Sequence, residues 1–232
     1  MAKVQEDFVA QIKIILQDDA HIIVDEATET ELKAMLTDAV ELIYDKDRPY
    51  IKYKSYTGDG TYDYDKPSDW IDGFSKIESV EYPSGDQEPQ MMDEELFRLY
   101  HNGTTEKIRF TEDSPSSSET FIVAYALPHT LDADNNTTYE ADFQALCHLA
   151  AAITLLAMAN KYTQSSAPTI AADVVEYRAK SDICRAVAKE QFTLYDKAME
   201  KRDETSAALV IREYDTTFPW GGEYLTHPAK WR

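Results

Sequence analysis

Apolar residues near the start of the chain recur at helical spacing. Val4, Phe8, Ile12 and Ile15 fall at steps of four, four and three, which predicts a helix over residues 3–17 with one apolar stripe. After "DDAHIIVDEA", the residues Leu32, Met35, Leu36, Ala39, Val40 and Ile43 line one face of a second helix. Thr28 and Glu31 stand at capping-box spacing, where each side chain can satisfy the other's free backbone N–H. The charged "DKDR" and Pro49 predict that this helix closes near residue 46. From Pro49 to about Leu131 the period changes to two. "YIKYKSY" alternates as a half-buried strand should, and "KIESVEY", "LFRLY", "KIRF" and "ETFIVAYAL" read as further short strands. "TGDGTYDYDKPSDW" reads as a loop, "DSPSSSE" as a turn, and Asn102-Gly103 as a tight hairpin that needs positive φ.

The helical period returns in "TYEADFQALCHLAAAITLLAMANKY", preceded by a second capping-box pair, Thr137 and Glu140. Seven alanines and four leucines in this stretch predict the most buried helix, one whose small side chains let neighbours approach closely. Pro168 ends it. A long amphipathic helix from about Ala171 to Asp203 then carries Val175, Ile183, Val187, Leu194 and Met199. "ALVIREY" has strand propensity, and the aromatic stretch "TTFPWGGEYLTHPAKWR" keeps no period at all. The predicted class is α+β: mainly a helical bundle, with a small antiparallel β domain inserted and an extended C-terminal arm. The divisions are 1–48 for the first helices, 49–136 for the β insert, 137–204 for the later helices and 205–232 for the arm.

Charge changes the picture more than composition does. The chain carries a formal net charge of −20, and the acids are unevenly spread. Residues 1–140 hold 31 acids against 12 basic residues, whereas residues 141–232 hold 12 against 11. Such a field argues against nucleic-acid binding through a basic patch. The bland account of the acids is a solvated surface; the sharper ones are a surface that repels DNA or one that imitates it. The first twenty residues mix acids and lysines into their apolar part, so they predict neither a signal peptide nor a membrane anchor. Leu146–Ala159 is expected to be too short to span a bilayer. Cys147 and Cys184 lack any partner spacing and read as buried thiols of a chain made in a reducing cytoplasm.

Catalytic signatures are missing: the sequence has no GxSxG, HExxH, GxxxxGK[ST] or GxGxxG. His148 lies within an apolar helix and is expected to be a hydrogen-bonded core or interface residue. "DADNN" imitates the first calcium ligands, but Thr137 stands where the loop needs Gly and Phe143 where it needs a bidentate Glu. Asp59, Asp63 and Asp65 in "GDGTYDYD" read as a polar loop rather than a cation site. The expectation is a protein that is not an enzyme and takes neither cofactor nor metal.

Three phrases carry a likeness: "DWIDGFSKIESVEYPSGDQEP", "PHTLDADNNTTYEADFQALCHLAAAITLLAMANKY" and "IAADVVEYRAKSD". Together with the order of segments from roughly Thr28 to Met199, they resemble tailed-phage and prophage structural proteins similar to head–tail connector adaptors. The resemblance implies a ring beneath the portal in the virion neck, typically twelvefold, reached after synthesis in the host cytoplasm. It also implies as partners other copies of the chain, the portal protein and the next neck or tail-completion protein, with phage DNA passing through unbound and no membrane. The aromatic tail lies beyond the likeness. On physical grounds Phe218, Trp220, Tyr224 and Trp231 are expected to dock on a neighbouring subunit or on the portal, since aromatic anchors dominate interfaces. The competing account folds them back on their own core. Leu149, Ile153, Leu156, Val175, Ile183 and Val187, in the near-neutral half, are the expected subunit-packing residues. Two other functions compete: an acidic DNA mimic that blocks a DNA-binding enzyme, and a tail or baseplate binding module built on the Tyr-rich β insert.

Overall fold

The computed structural model describes residues 3–17, 29–86, 88–164 and 171–208. Its architecture is mixed α+β, with two small antiparallel sheets set between helices in the chain. Residues 1–195 form one compact unit. Beyond Tyr195 the description covers only the last part of the final helix.

Helix α1 (Gln5–Leu16) starts where Asp7 reaches back to accept the Val4 N–H at 3.0 Å. It stops at Gln17, whose left-handed φ of 51° turns its N–H onto the last carbonyls. Phe8, Val9 and Ile12 are buried, so the apolar stripe is centred one residue further round than the spacing predicts. Helix α2 (Glu29–Ala39) continues without a break into a π-helical turn (Val40–Tyr44) and a last turn, α3 (Asp45–Asp47). Closure at residues 47–48 is close to the expected point. The wider π turn swings Tyr44 and Asp45 into the interior together, which a regular 3.6-residue count does not foresee. Thr28, the expected cap, lies outside the described residues.

Sheet one has the order β1 (Tyr50–Thr57), β6 (Thr120–Leu127), β3 (Ile77–Glu81); sheet two has β2 (Asp63–Asp65), β5 (Glu106–Phe110), β4 (Phe97–His101). The apolar faces meet in one cluster: Val80, Phe121 and Val123 from the first sheet against Tyr64, Phe97, Ile108 and Phe110 from the second. The Phe121 ring is the hub, 4.8 Å from Tyr64 and 5.0 Å from Phe110 in edge-on arrangements. Strand β2 lies within the stretch expected to be loop. Its Gly and Asp neighbours hide it from composition, and two tertiary contacts make it a strand: Tyr64 enters the core and Asp63 pairs with Arg109. Gly103 has the expected positive φ, 94°, and Asn102 Oδ1 accepts the N–H groups of Thr104 and Thr105. Gly58 answers a close approach: an added Cβ would lie 2.2 Å from the Ser116 carbonyl oxygen.

The second capping box is not made. A 3₁₀ turn (Glu140–Asp142) starts from Tyr139, and the Thr137 hydroxyl is committed to the Thr130 backbone. Helix α4 (Phe143–Gln164) follows, and α1 and α2 pack on it. It is buried on all sides over Ala145–Ala152 apart from the partly covered His148, as its alanines predict. With its 3₁₀ turn this stretch is 24 residues long and apolar enough to cross a membrane, contrary to the shorter estimate, yet 56% of its most apolar window is buried inside the fold. Helix α5 runs from Ala171 to Ala208, past the predicted end at Asp203 and into the segment assigned to the arm.

Candidate functional site

Helices α4 and α5 run antiparallel, and their pairing defines the outer surface of the near-neutral half. Ser181 Oγ donates to the Ala159 carbonyl at 3.0 Å, and the Thr163 and Ser181 hydroxyls bond at 3.0 Å. Some 10 residues further along α5, the His148 ring N–H at Nδ1 donates to Gln191 Oε1 at 2.7 Å. His148 is thus the hydrogen-bonded helix contact that its apolar setting predicts. Tyr195 donates to Asp47 Oδ2 at 2.6 Å, which ties α5 to the end of the α2 rod. The buried positions on this part of α5 are Ser181, Ala188 and Tyr195, one every seven residues. A seven-residue step follows a single helical seam, and the small Ser181 and Ala188 let the two backbones close up, while Tyr195 reaches Asp47.

The seam decides which face of α5 is left uncovered. Ile183 is 62% exposed and Leu194 43% exposed, while Val187 is half-buried between them. Spaced by four and seven residues, the three share one face that α4 does not cover. The hydrogen-bond register sets Ile183 and Val187 level with the stretch of α4 holding Ile153 and Leu156, which are half-buried and 38% exposed. Leu149, in contrast, is fully buried in the chain's own core and has no surface to offer a neighbour. Helix α4 is covered all round at that level, so helical period alone misassigns it. Leu194 belongs with the exposed face; its eleven-residue spacing from Ile183, three helical turns, is the signal that finds it. The Val175 side chain and Phe218, Trp220, Tyr224 and Trp231 lie outside the described residues.

Acidic groups are held by two kinds of donor. Asp63 is held below the usual carboxylate range by the Arg109 side chain that bonds it, and Asp69 by Lys52. Tyrosines serve alongside the basic residues, and Asp69 takes both. Tyr44 donates to Asp142, Tyr125 to Asp69, Tyr82 to Glu119 and Tyr195 to Asp47, all between 2.6 and 2.8 Å. The Glu119 bond pushes the Tyr82 phenol up to about 12. A neutral donor satisfies a carboxylate without cancelling its charge, as at Glu119 and Asp47, whereas Asp69 and Asp142 also lie beside Lys52 and Arg48; these bonds account for part of the fifteen Tyr of the sequence.

The imitated calcium loop has a structural use. Asp132 Oδ1 accepts the N–H groups of Asp134 and Asn135, and Asn136 Nδ2 donates to the Lys3 carbonyl at 2.7 Å, fastening the loop to the start of α1. Asp59 likewise binds Thr61, and Asp65 pairs with Lys107. Among the described residues no three His, Cys, Asp or Glu side chains group as a metal site. Burial pushes the Cys147 thiol up to about 12, far from the range of a reactive cysteine. Comparison with protein-family models and with curated proteins finds no match to this chain.

Proposed function

We propose that this chain is a structural subunit of a tailed-phage virion, a head-to-tail adaptor whose copies form a ring, typically twelvefold, beneath the portal protein. In this reading the helices constitute a bundle, the α4–α5 face packs subunit on subunit, and the C-terminal arm docks on a neighbour or on the portal. The ring then meets the next neck or tail-completion protein. It acts by assembly and without catalysis, first in the host cytoplasm and finally at the junction of head and tail.

One observation carries the reading: Leu156, Ile183 and Leu194 are exposed on helices of the half whose charge is balanced, while the first half carries nearly all the net charge. Ring subunits join head to tail and need two unlike surfaces that do not repel. The acidic half suits a wall past which DNA must slide, since like charge keeps the phosphate backbone from adhering. A DNA mimic needs the acids alone and leaves the apolar face of α5 without a role.

Native mass spectrometry of the full chain, alone and with portal protein, tests this directly. The expected result is a defined multi-subunit ring on the portal. Deleting residues 214–232 should leave a folded chain that no longer joins the portal, and Trp220→Ala should give a milder form of that defect. Unchanged portal joining by the deletion variant would retire the docking role of the arm.

A further inference from the structure

A small cavity opens between the two sheets. The segment Gln90–Met92 runs beside β3, with the Tyr82 N–H donating to the Gln90 carbonyl at 2.9 Å and the Met92 N–H to the Val80 carbonyl at 2.8 Å. Where this segment turns toward β4, Tyr82, Met91, Met92 and Leu96 surround a space of about 230 Å³. That is below the roughly 300–1,000 Å³ of small-molecule sites and is the size of one large side chain. Met91 is 61% exposed beside it. Methionine is flexible and polarizable, and it is used where a surface must adapt to an incoming aromatic or aliphatic group.

Asp93, Glu112 and Asp113 also line the cavity, all three exposed, and no lysine or arginine does. Among the described residues none of the three carboxylates makes an ion pair, although Asp63, Asp65, Asp69 and Asp72 nearby in the sequence all do. An apolar floor with an uncompensated acidic rim fits an apolar side chain flanked by positive charge. The chain carries such a segment. In "YLTHPAKWR", residues 224–232, Lys230 and Arg232 flank Trp231 and no acid follows Glu223. These residues lie outside the described part, and the 21 residues from 209 to 229 can span roughly 70 Å when extended, enough to reach another molecule.

We propose that the cavity between β3 and β4 is the receptor for Lys230–Trp231–Arg232 of a neighbouring copy of this chain. Trp231 enters between Tyr82, Met91, Met92 and Leu96, and the two basic side chains face Asp93, Glu112 and Asp113. The inference rests on the reading of the arm as a docking element and names where it docks. It also supplies the two unlike surfaces that a head-to-tail contact requires: a basic aromatic donor on one copy and an acidic apolar acceptor on the next.

The test is a charge exchange in the full chain, read by sedimentation velocity. K230E/R232E and E112K/D113K are each expected to weaken self-association about tenfold, and the combination of all four to restore it to within about threefold of the parent. The rim residues are exposed, so circular dichroism should show all variants folded. A photo-cross-linker in place of Trp231, used in a mixture of isotopically heavy and light chains, should join heavy to light between position 231 and Tyr82–Leu96. Association that ignores both reversals, or a combination that fails to restore it, overturns the proposal. So do cross-links confined to one chain, which would mean the segment folds onto its own copy. A rim reversal that blocks portal joining while K230E/R232E does not would assign the cavity to a basic segment of the portal and equally overturn it. A chain that stays monomeric at every concentration sinks this contact but not the ring on the portal, which the 214–232 deletion tests separately.

Discussion

The His129 ring sits between the Arg48 carbonyl, 2.9 Å from Nε2, and the Thr137 hydroxyl, 3.2 Å from Nδ1, while its backbone N–H donates to Asp45 Oδ1 at 2.9 Å. A carbonyl can only accept, so Nε2 carries the proton and Nδ1 is the acceptor. Tyr44, Tyr50 and Tyr139 rings close round it, and Asp45, Asp142 and Arg48 are the charged groups facing it. Burial holds the imidazole below the usual histidine range, against the opposing pull of the Arg48 carbonyl and Asp45. The unfolded chain therefore takes up a proton near pH 6.5 that the folded chain resists. Neutral His129 contributes its full stability above that pH and loses it progressively as the pH falls below. Asp45 works in another window: burial raises its pKa, so its contribution is lost as the pH rises from about 3.9 through its folded value. Between pH 7.5 and 5.5 the parent chain should thus lose more in Tm than His129→Gln, which keeps a donor for Arg48, by up to about 4 °C. Equal losses in the two melts would remove the coupling. None of this is visible in the sequence, where His129 is one of five scattered histidines. Its partners come from residues 45, 48 and 137, brought together only by the fold.

Elements were legible where local pattern decides and illegible where contact decides. The alternation that predicts β1 is local, and β6, the central strand, announces itself instead by a continuous apolar run buried at successive positions from Val123 to Leu127. β2 is three residues long, and its identity depends on Arg109 and on a pocket for Tyr64, both distant in sequence. The Ala-rich α4 reads as core because small side chains have little else to do. The seam of α5 is illegible for the converse reason: it uses Ser181, Ala188 and Tyr195, which do not stand out as apolar, while Ile183 and Leu194 do and point outward. Among the packing residues drawn from sequence, Ile183 and Leu156 therefore lie at the surface and Leu149 does not. The two sides of α5 should respond oppositely to mutation. Ala188→Leu overfills the seam and is expected to cost about 1–3 kcal/mol in urea unfolding. Ile183→Ser should stay within about 0.5 kcal/mol of the parent and instead weaken subunit association. A large loss of stability from Ile183→Ser would place that side chain in the core and remove the face.

On the scale of the whole molecule, nearly all the net charge sits in residues 1–140, while exposed apolar side chains occur in both halves, Ile14, Leu42 and Met91 in the first and Leu156, Ile183 and Leu194 in the second. If the acidic half lines a passage for DNA, the full chain should fail to retain duplex DNA in a gel-shift assay even at low salt, where electrostatic attachment is strongest. Replacing Asp93, Glu94 and Glu95 with Lys should introduce weak, salt-sensitive retention; attachment by the parent chain would contradict a repelling wall. The tyrosine–carboxylate pairs matter here, because a phenol donor holds an acid in place without adding positive charge. The β insert has a property of its own that follows from one pair in its first sheet. Tyr50, where the chain leaves the helices, is the register partner of Leu127, where it comes back. Both crossings share a single doorway, so the insert hangs from the helical part as a pendant on one clasp. Lengthening its far rim, such as the exposed turn at Asn102-Gly103, gives the helices no reason to shift. That rim is where such a protein can acquire new sequence, or carry a fluorescent reporter, while the helices keep their places.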